Sequence, residues 1–292
     1  MLLTQIEKNQ ISVNNLVNQN YWTVNLGIAR TTLAVALLVT LLFNSTETLF
    51  YFGLENQIPP RFTKFNFISV YNLFGFQMAN YFSIAVLLIV ISGYYPRITC
   101  FFHWWISYSF VTTSYAIDGG DQINSIMTLL LIPICLTDKR NNHWIKSENR
   151  NAGYVAQVIA FFSFLIIQLQ VAVIYFNSSV GKFAVPEWAN GTAVYYWLTN
   201  QSFGMNELLN PVMMPILANP FFIAFITWGV LIFELFLFSC LFTSNKKIIK
   251  WAFILGIGFH FSIVVFHGLV SFFFTMAAAL TLFLITKKTY KT

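Results

Sequence analysis

Charge is what this sequence most lacks. Asp, Glu, Lys and Arg make up 9% of its 292 residues, against about 25% in a soluble domain, which excludes an ordinary soluble enzyme. Glycine and proline are sparse, at 14 and 8, and nothing recurs at a fixed period. Collagen, coiled coil and low-complexity disorder are excluded with them. The missing repeat also weighs against an inverted-repeat transporter. The three cysteines, Cys100, Cys135 and Cys240, fall inside apolar runs with no CxxC or Cys/His spacing. An odd number so placed gives neither a disulfide framework nor a zinc site, and they read as small buried apolar residues.

What is present is apolar and aromatic: 57% of residues are hydrophobic and 33 are phenylalanine. The expected fold class is all-α, a polytopic integral membrane helical bundle in contact with a lipid bilayer. A spanning helix needs about 20 mostly apolar residues, and eight runs qualify or nearly so: 26–43, 78–95, 98–117, 122–136, 154–176, 217–242, 248–267 and 269–286. The fourth, at 15 residues, reads as tilted or partly re-entrant. The last two form one stretch that is split at Gly268. The first lacks a basic leader and a small-residue cleavage site, since Phe43 leads into Asn44-Ser45-Thr46-Glu47, and reads as a retained helix.

The formal charge of +6 points to an anionic leaflet rather than to nucleic acid, because the basic residues sit between runs. With the N-terminus inside, the cytoplasmic side collects Lys8, Arg97, Lys139, Arg140, Lys146, Arg150, Lys246, Lys247, Lys250, Lys287, Lys288 and Lys291. Only Arg61, Lys64 and Lys182 fall outside, and Arg30 is expected to snorkel from the first span. Twelve against three puts both termini in the cytoplasm. The organisation is a polar segment 1–25, a transmembrane domain 26–286 with outer segments 44–77 and 177–216, and a basic tail 287–292. The outer segments, with Pro59-Pro60, Pro186, Pro211 and Pro215 and the aromatic stretch Phe65 to Phe74, are where a site would be built. The inner loops read as short connectors, and residues 1–20 as a weakly amphipathic helix or a frayed tail. Sequons at Asn44, Asn177, Asn190 and Asn200 all fall outside, as chance allows in an asparagine-rich chain.

Ionisable groups at membrane depth cost free energy and are functional candidates by default. Glu234 lies near the middle of run 217–242, and helical glue is as good a reading of it as site lining. His260 and His267 are seven residues apart on one helical face, too far apart to ligate one metal. His103, before Trp104-Trp105, reads as a core or interfacial histidine. Asp118-Gly119-Gly120-Asp121 reads as a hairpin turn with Asp121 as N-cap of the next helix, or as the polar floor of an outer cavity together with Gln122 and Asn124. Lys182 lies among apolar neighbours in Ser179-Val180-Gly181-Lys182-Phe183. Desolvation would make it a base or nucleophile, and snorkelling would make it an anchor.

Several of these residues carry a resemblance. Tyr175 through Gly181-Lys182, Trp188, Gly191 to Leu198, Phe233-Glu234-Leu235, and Gly258-Phe259-His260-Phe261 through Phe272 and Met276 resemble, in order, motifs of the HTTM superfamily. That group includes the vitamin K-dependent gamma-glutamyl carboxylase. Chain length, the Asp-Gly-Gly-Asp hairpin and the Phe-His-Gly-Leu ending at Phe266 to Leu269 are most similar to the sporulation-delaying-protein B family of antimicrobial-peptide production proteins. By this resemblance Lys182 falls at the lysine that acts on vitamin K in the carboxylase, so a vitamin K-like quinone is the cofactor it implies. The chain departs from the carboxylase in having Gln122, Asn124 and Ser125 where the hairpin would hold histidine, and in having nothing like its large luminal domain after the eighth run.

What the resemblance implies is a multi-pass protein of the bacterial cytoplasmic membrane that acts in maturation or export of a secreted antimicrobial peptide. The precursor would be its substrate and a further maturation protein its partner. The alternatives are an intramembrane enzyme acting on a peptide or quinone with Lys182 as base, and a transporter or toxin-immunity protein. The expected catalytic residues are Lys182, His260 and Glu234. Asp118, Asp121, Gln122, Asn124, Trp188 and His267 are expected to bind substrate, with no metal. Lys182, Glu234, His260, Asp118 and Asp121 are expected to line one outward cavity.

Overall fold

The computed structural model describes residue 17 and residues 19–50, 69–146 and 153–285. The expectations for the first sixteen residues, for 51–68 with Pro59-Pro60, Arg61, Lys64, Phe65, Phe67 and Ile68, and for the 287–292 tail lie outside the described residues. Among the described residues all regular elements are helices, apart from one isolated bridge between Tyr94 and Asn142. The main ones are α1 (Val24–Phe43), α2 (Phe76–Ser92), α3 (Pro96–Thr113), α4 (Gly119–Thr137), α5 (Tyr154–Lys182), α6 (Pro220–Ser239), α7 (Lys246–His267) and α8 (Val270–Leu280). They overlap the eight apolar runs. Five of them, α1, α4, α5, α6 with its 3-10 extension to Phe242, and α7, are long and apolar enough to cross a membrane. α2 and α8, with its continuation to Ile285, are shorter apolar helices.

Helix ends follow local chemistry. Thr23 caps α1 by accepting from the Leu26 amide. Asn219 and Asn245 cap α6 and α7 in the same way, and Pro220 opens α6 at a position where its missing N–H costs nothing. The long apolar stretch breaks at Gly268, whose φ of +71° is a left-handed conformation that suits glycine, and its amide closes α7 on Val264. α8 then folds back against α7.

Two sequence expectations are corrected here. The fourth run is not short. It is a full helix of 19 residues, because Gly119 and Gly120 are helical rather than turn residues. Its N-cap is accordingly Asp118 and not Asp121. The Asp118 carboxylate accepts from the Asp121 amide at 2.9 Å and the Asp121 carboxylate accepts from the Asp118 amide at 3.0 Å, a reciprocal capping box. The second glycine is required by packing: a Cβ on Gly120 would lie 2.8 Å from the Phe272 Cα, whereas one on Gly119 would meet nothing closer than 3.9 Å.

The core has two main parts. One joins the lower half of α1 with α4, α5, α6, α7 and α8 around Trp22, Phe164, Tyr175 and Phe283. The other joins the upper half of α1 with α2, α3 and the short helices Thr46–Phe50 and Val70–Phe74. Asn124 ties them together: its amide donates to the Leu33 carbonyl and to Thr275, and its oxygen accepts from Ser107, so one side chain holds α1, α3, α4 and α8. A smaller apolar cluster of Leu198, Leu217 and Ile223 packs the 193–217 segment against Phe266 at the end of α7. The three cysteines are buried and form no disulfide.

Candidate functional site

The segment 177–182 is not an outer loop. α5 continues through it for 29 residues, and Lys182 is its last helical residue. Ser178 lies one turn earlier on the same face. α6 runs antiparallel to α5, with Phe176 against Phe238 at 5.0 Å and Ser179 Oγ donating to the Leu231 carbonyl at 3.0 Å. α6 therefore begins about 12–18 Å beyond the end of α5, and this offset brings Glu234 level with Ser178 and Lys182. Glu234 is near the end of α5, although it is fifteen residues into its own helix.

The geometry at this point is a charge pair. The Lys182 Nζ donates to Glu234 Oε1 at 2.5 Å, to Oε2 at 2.6 Å and to Ser178 Oγ at 2.9 Å, and Ser178 Oγ donates to Oε1 at 2.9 Å. The Trp188 ring centroid lies 5.0 Å from Nζ, within cation–π range. The lysine side chain is 23% exposed and the glutamate 7%, so the cation faces outward from the bundle and the anion inward. Charge-assisted bonds of this kind are the strong class. Transfer of one proton from Nζ to a carboxylate oxygen would leave an amine with a lone pair, the form in which a lysine acts as nucleophile or base.

Seven residues before Lys182, about 10 Å down the same face of α5, Tyr175 points at α7. Its hydroxyl lies 2.9 Å from His260 Nε2, and both residues are buried. The imidazole is enclosed by the rings of Phe259 at 5.0 Å, Phe272 at 5.6 Å and Tyr175 at 6.1 Å.

The remaining expected site residues are elsewhere. Asp118 and Asp121 line a cavity of about 710 Å³ with Val39, Thr40, Phe43, Asn44, Gly268 and Ser271, and Lys182, Glu234 and His260 are not in its wall. The expectation of one shared cavity is therefore corrected. Phe272, which follows that wall in sequence, puts its ring on His260 and its backbone on Gly120, and stands between the two groups. Gln122 is exposed on α4, and Asn124 is spent on the helix clasp. His267, at the end of α7, has its Nδ1 2.8 Å from the Phe203 carbonyl and its ring edge-on to Trp197. Among the described residues no group of three His, Cys, Asp or Glu side chains is placed to hold a metal.

At the opposite end, sequence reasoning missed a buried knot. Arg30 does not snorkel: it is 1% exposed, and its guanidinium lies 2.9 Å from His143 Nδ1 and donates to Thr99 at 3.0 Å. Its partner sits in the 138–146 connector, which is built rather than merely short. Asp138 holds Arg140 in a two-pronged pair, and Arg140 also donates to the carbonyls of His143 and Ile145. Burial, then the charges of Arg30 and Arg140, hold the His143 imidazole down at about 3, so it is a neutral acceptor for Arg30. The signal was a lone arginine in the first apolar run. Tyr175 was quoted within a motif, but its part in the site went unrecognised. Its signal was the seven-residue interval to Lys182, which puts two polar groups on one face of an apolar helix.

Long apolar helices, with buried ion pairs and polar clasps where they meet, define a helical membrane protein. Comparison with known proteins narrows the class. The HTTM domain matches residues 18–287, and the chain belongs to that family. It is 38% identical over 271 residues to the sporulation-delaying protein SdpB of Bacillus subtilis (strain 168), covering 91% of this chain and 82% of that protein. It is also 36% identical over 271 residues to the uncharacterized protein YitO of the same organism, covering 91% of this chain and 86% of that one. No solved structure matches it.

Proposed function

We propose that this protein acts in the maturation or export of a secreted antimicrobial peptide of the sporulation-delaying kind, as a multi-pass protein of the bacterial cytoplasmic membrane. All eight main helices cross, both termini are cytoplasmic, and the end carrying Lys182 faces outward. The twelve-to-three charge count and the likeness to SdpB support this. Residues 26–286 form the transmembrane domain, between the polar segment 1–25 and the basic tail 287–292. A peptide precursor is the substrate, and a further maturation protein is the partner.

Lys182, Glu234 and His260 are the reacting groups of this proposal. Trp188 sits over the lysine, and the cavity at Asp118 and Asp121 receives part of the substrate. The observation that carries the reading is the Lys182–Glu234 pair, a lysine held by a buried carboxylate at the end of a long apolar helix. It also favours a second reading, in which the protein is itself an enzyme with Lys182 as base. Lys182→Met keeps the apolar stem and removes the charged head. Production of active peptide should then fail while the protein still accumulates in the membrane. Normal production from Lys182→Met would reduce the lysine to an anchor and refute the proposal. A change in the mass of the precursor that depends on Lys182 would establish the enzymatic form.

A further inference from the structure

The hydrogen bond between Tyr175 and His260 fixes more than a distance. A doubly protonated imidazole would need two acceptors, and His260 has one hydrogen-bond partner among the described residues, so the ring is neutral and carries a single N–H. If that hydrogen were on Nε2, Tyr175 would accept it. The Tyr175 hydroxyl would then need an acceptor of its own, Nδ1 would have no donor, and two buried groups would be unpaired. With the hydrogen on Nδ1, the Tyr175 hydroxyl donates to Nε2 and only one group is left over. Buried orphans are costly enough to decide between the two forms. The remaining group is the Nδ1–H, and His260 Nδ1 indeed has no hydrogen-bond partner, in a residue that is 3% exposed.

We infer that Tyr175 is a positioning residue, which locks His260 as the Nδ1–H tautomer. The unpaired N–H is the donor that receives a carbonyl oxygen of the ligand. The inference rests on the proposed function for where the ligand comes from, but not for the tautomer. The class of ligand follows from the surroundings. The donor is flanked by the Phe259 and Phe272 rings, with Phe233 behind Phe259 at 5.3 Å. A charged group would find no counter-ion at the ring, whereas a carbonyl carried by an apolar group meets one donor and an aromatic wall. Phe272 stands between this donor and the cavity lined by Gly268, Leu269, Val270 and Ser271, so a ligand that reaches the donor from that side must displace the Phe272 ring. A membrane offers such carbonyls in phospholipid esters, and an apolar peptide offers them in its main chain.

The test uses the full chain labelled with 15N-histidine, with the His260 signals identified by their loss in His260→Gln. In dodecyl maltoside, which has no carbonyl, the wild type should show a bare Nε2 and a protonated Nδ1. Tyr175→Phe should give a mixture of tautomers at an unchanged yield of folded protein. A wild-type Nε2–H form, or a tautomer unmoved in Tyr175→Phe, overturns the positioning role. Two additions then address the ligand. A downfield shift of the Nδ1–H proton in phosphatidylglycerol nanodiscs assigns the carbonyl to a lipid ester, and one caused by an acetylated Leu-Ala peptide amide assigns it to peptide. No shift with either overturns the donor role. In cells, His260→Asn places an amide N–H where Nδ1 stood and His260→Gln places one where Nε2 stood. The Asn variant should support peptide production about fivefold above the Gln variant, a difference that a packing role would not create. If Lys182→Met leaves production normal while the tautomer is as stated, the proposed function fails and the positioning role stands.

Discussion

A double-mutant cycle on Lys182 and Glu234 measures whether the pair is as desolvated as its geometry states. Removing one partner of a fully buried pair costs about 3–5 kcal/mol, mostly the penalty of leaving a charge unpaired, whereas an exposed pair is worth about 0–1 kcal/mol. With side chains 23% and 7% exposed, this pair falls between the two and is asymmetric. Lys182→Met leaves the carboxylate in the dry position with only Ser178 to donate to it, and should cost about 2–4 kcal/mol. Glu234→Gln leaves the ammonium at the more exposed position with Ser178 and Trp188, and should cost about 1–2 kcal/mol. Lys182→Met with Glu234→Met leaves no orphan, so it should be more stable than the sum of the singles by about 1–3 kcal/mol. Unfolding of the purified protein by titration with a denaturing detergent reads all four corners. A coupling below about 0.5 kcal/mol, the scatter of independent sites, would show that the charges are solvated separately and that Glu234 does not control the lysine.

Three further outcomes are expected. In a background lacking Cys100, Cys135 and Cys240, Asn190→Cys should react with an impermeant thiol reagent added to intact cells and Lys146→Cys should not, and the reverse pattern would refute the orientation. Gly120→Ala should cost about 1–3 kcal/mol, because its methyl meets the Phe272 backbone, whereas Gly119→Ala should be neutral or stabilising by up to about 1 kcal/mol; equal effects in thermal melts would contradict the close approach of α4 to α8. His143, held at about 3 against 6.5 in the unfolded chain, binds more protons when unfolded. Stability is therefore complete above pH 6.5 and should fall by about 1.4 kcal/mol for each unit below it, down to about pH 3; His143→Gln should flatten that slope, and an unchanged slope would place the titration elsewhere.

The helices were legible because bilayer thickness imposes a length on apolar runs, and the break at Gly268 because only a residue tolerant of positive φ stops such a run without polar help. The cap of α4 was misread for a specific reason. Gly-Gly resembles a turn, and the close packing of Gly120 against Phe272 comes from a residue 152 positions away. The end of α5 was misread because the polar residues Asn177, Ser178 and Ser179 look like a loop, whereas Ser178 and Ser179 are hydrogen-bonded to α6. Single-residue polarity picked out Lys182, Glu234 and His260. Their levels in the bundle depend on the offset of α6 against α5, which no local pattern encodes. Arg30 was misplaced because its partner His143 lies in a connector with no periodicity to read.

That last pairing sets an order on the protein's own synthesis. Arg30 emerges in the first helix, but His143 follows 113 residues later. At about 5–20 residues per second the arginine waits roughly 6–23 seconds for its acceptor. Trp22 likewise waits for the Ile134 carbonyl at the end of α4. Until α4 and its connector have been made, the first helix carries an unsatisfied cation that hydrocarbon will not accept. On the proposed topology, the nascent chain keeps α1 at the insertion machinery or near the water boundary, and releases it into the bilayer together with α2, α3 and α4. A chain truncated before Asp138 should leave α1 extractable from membranes by alkali, and one truncated after Lys146 should not.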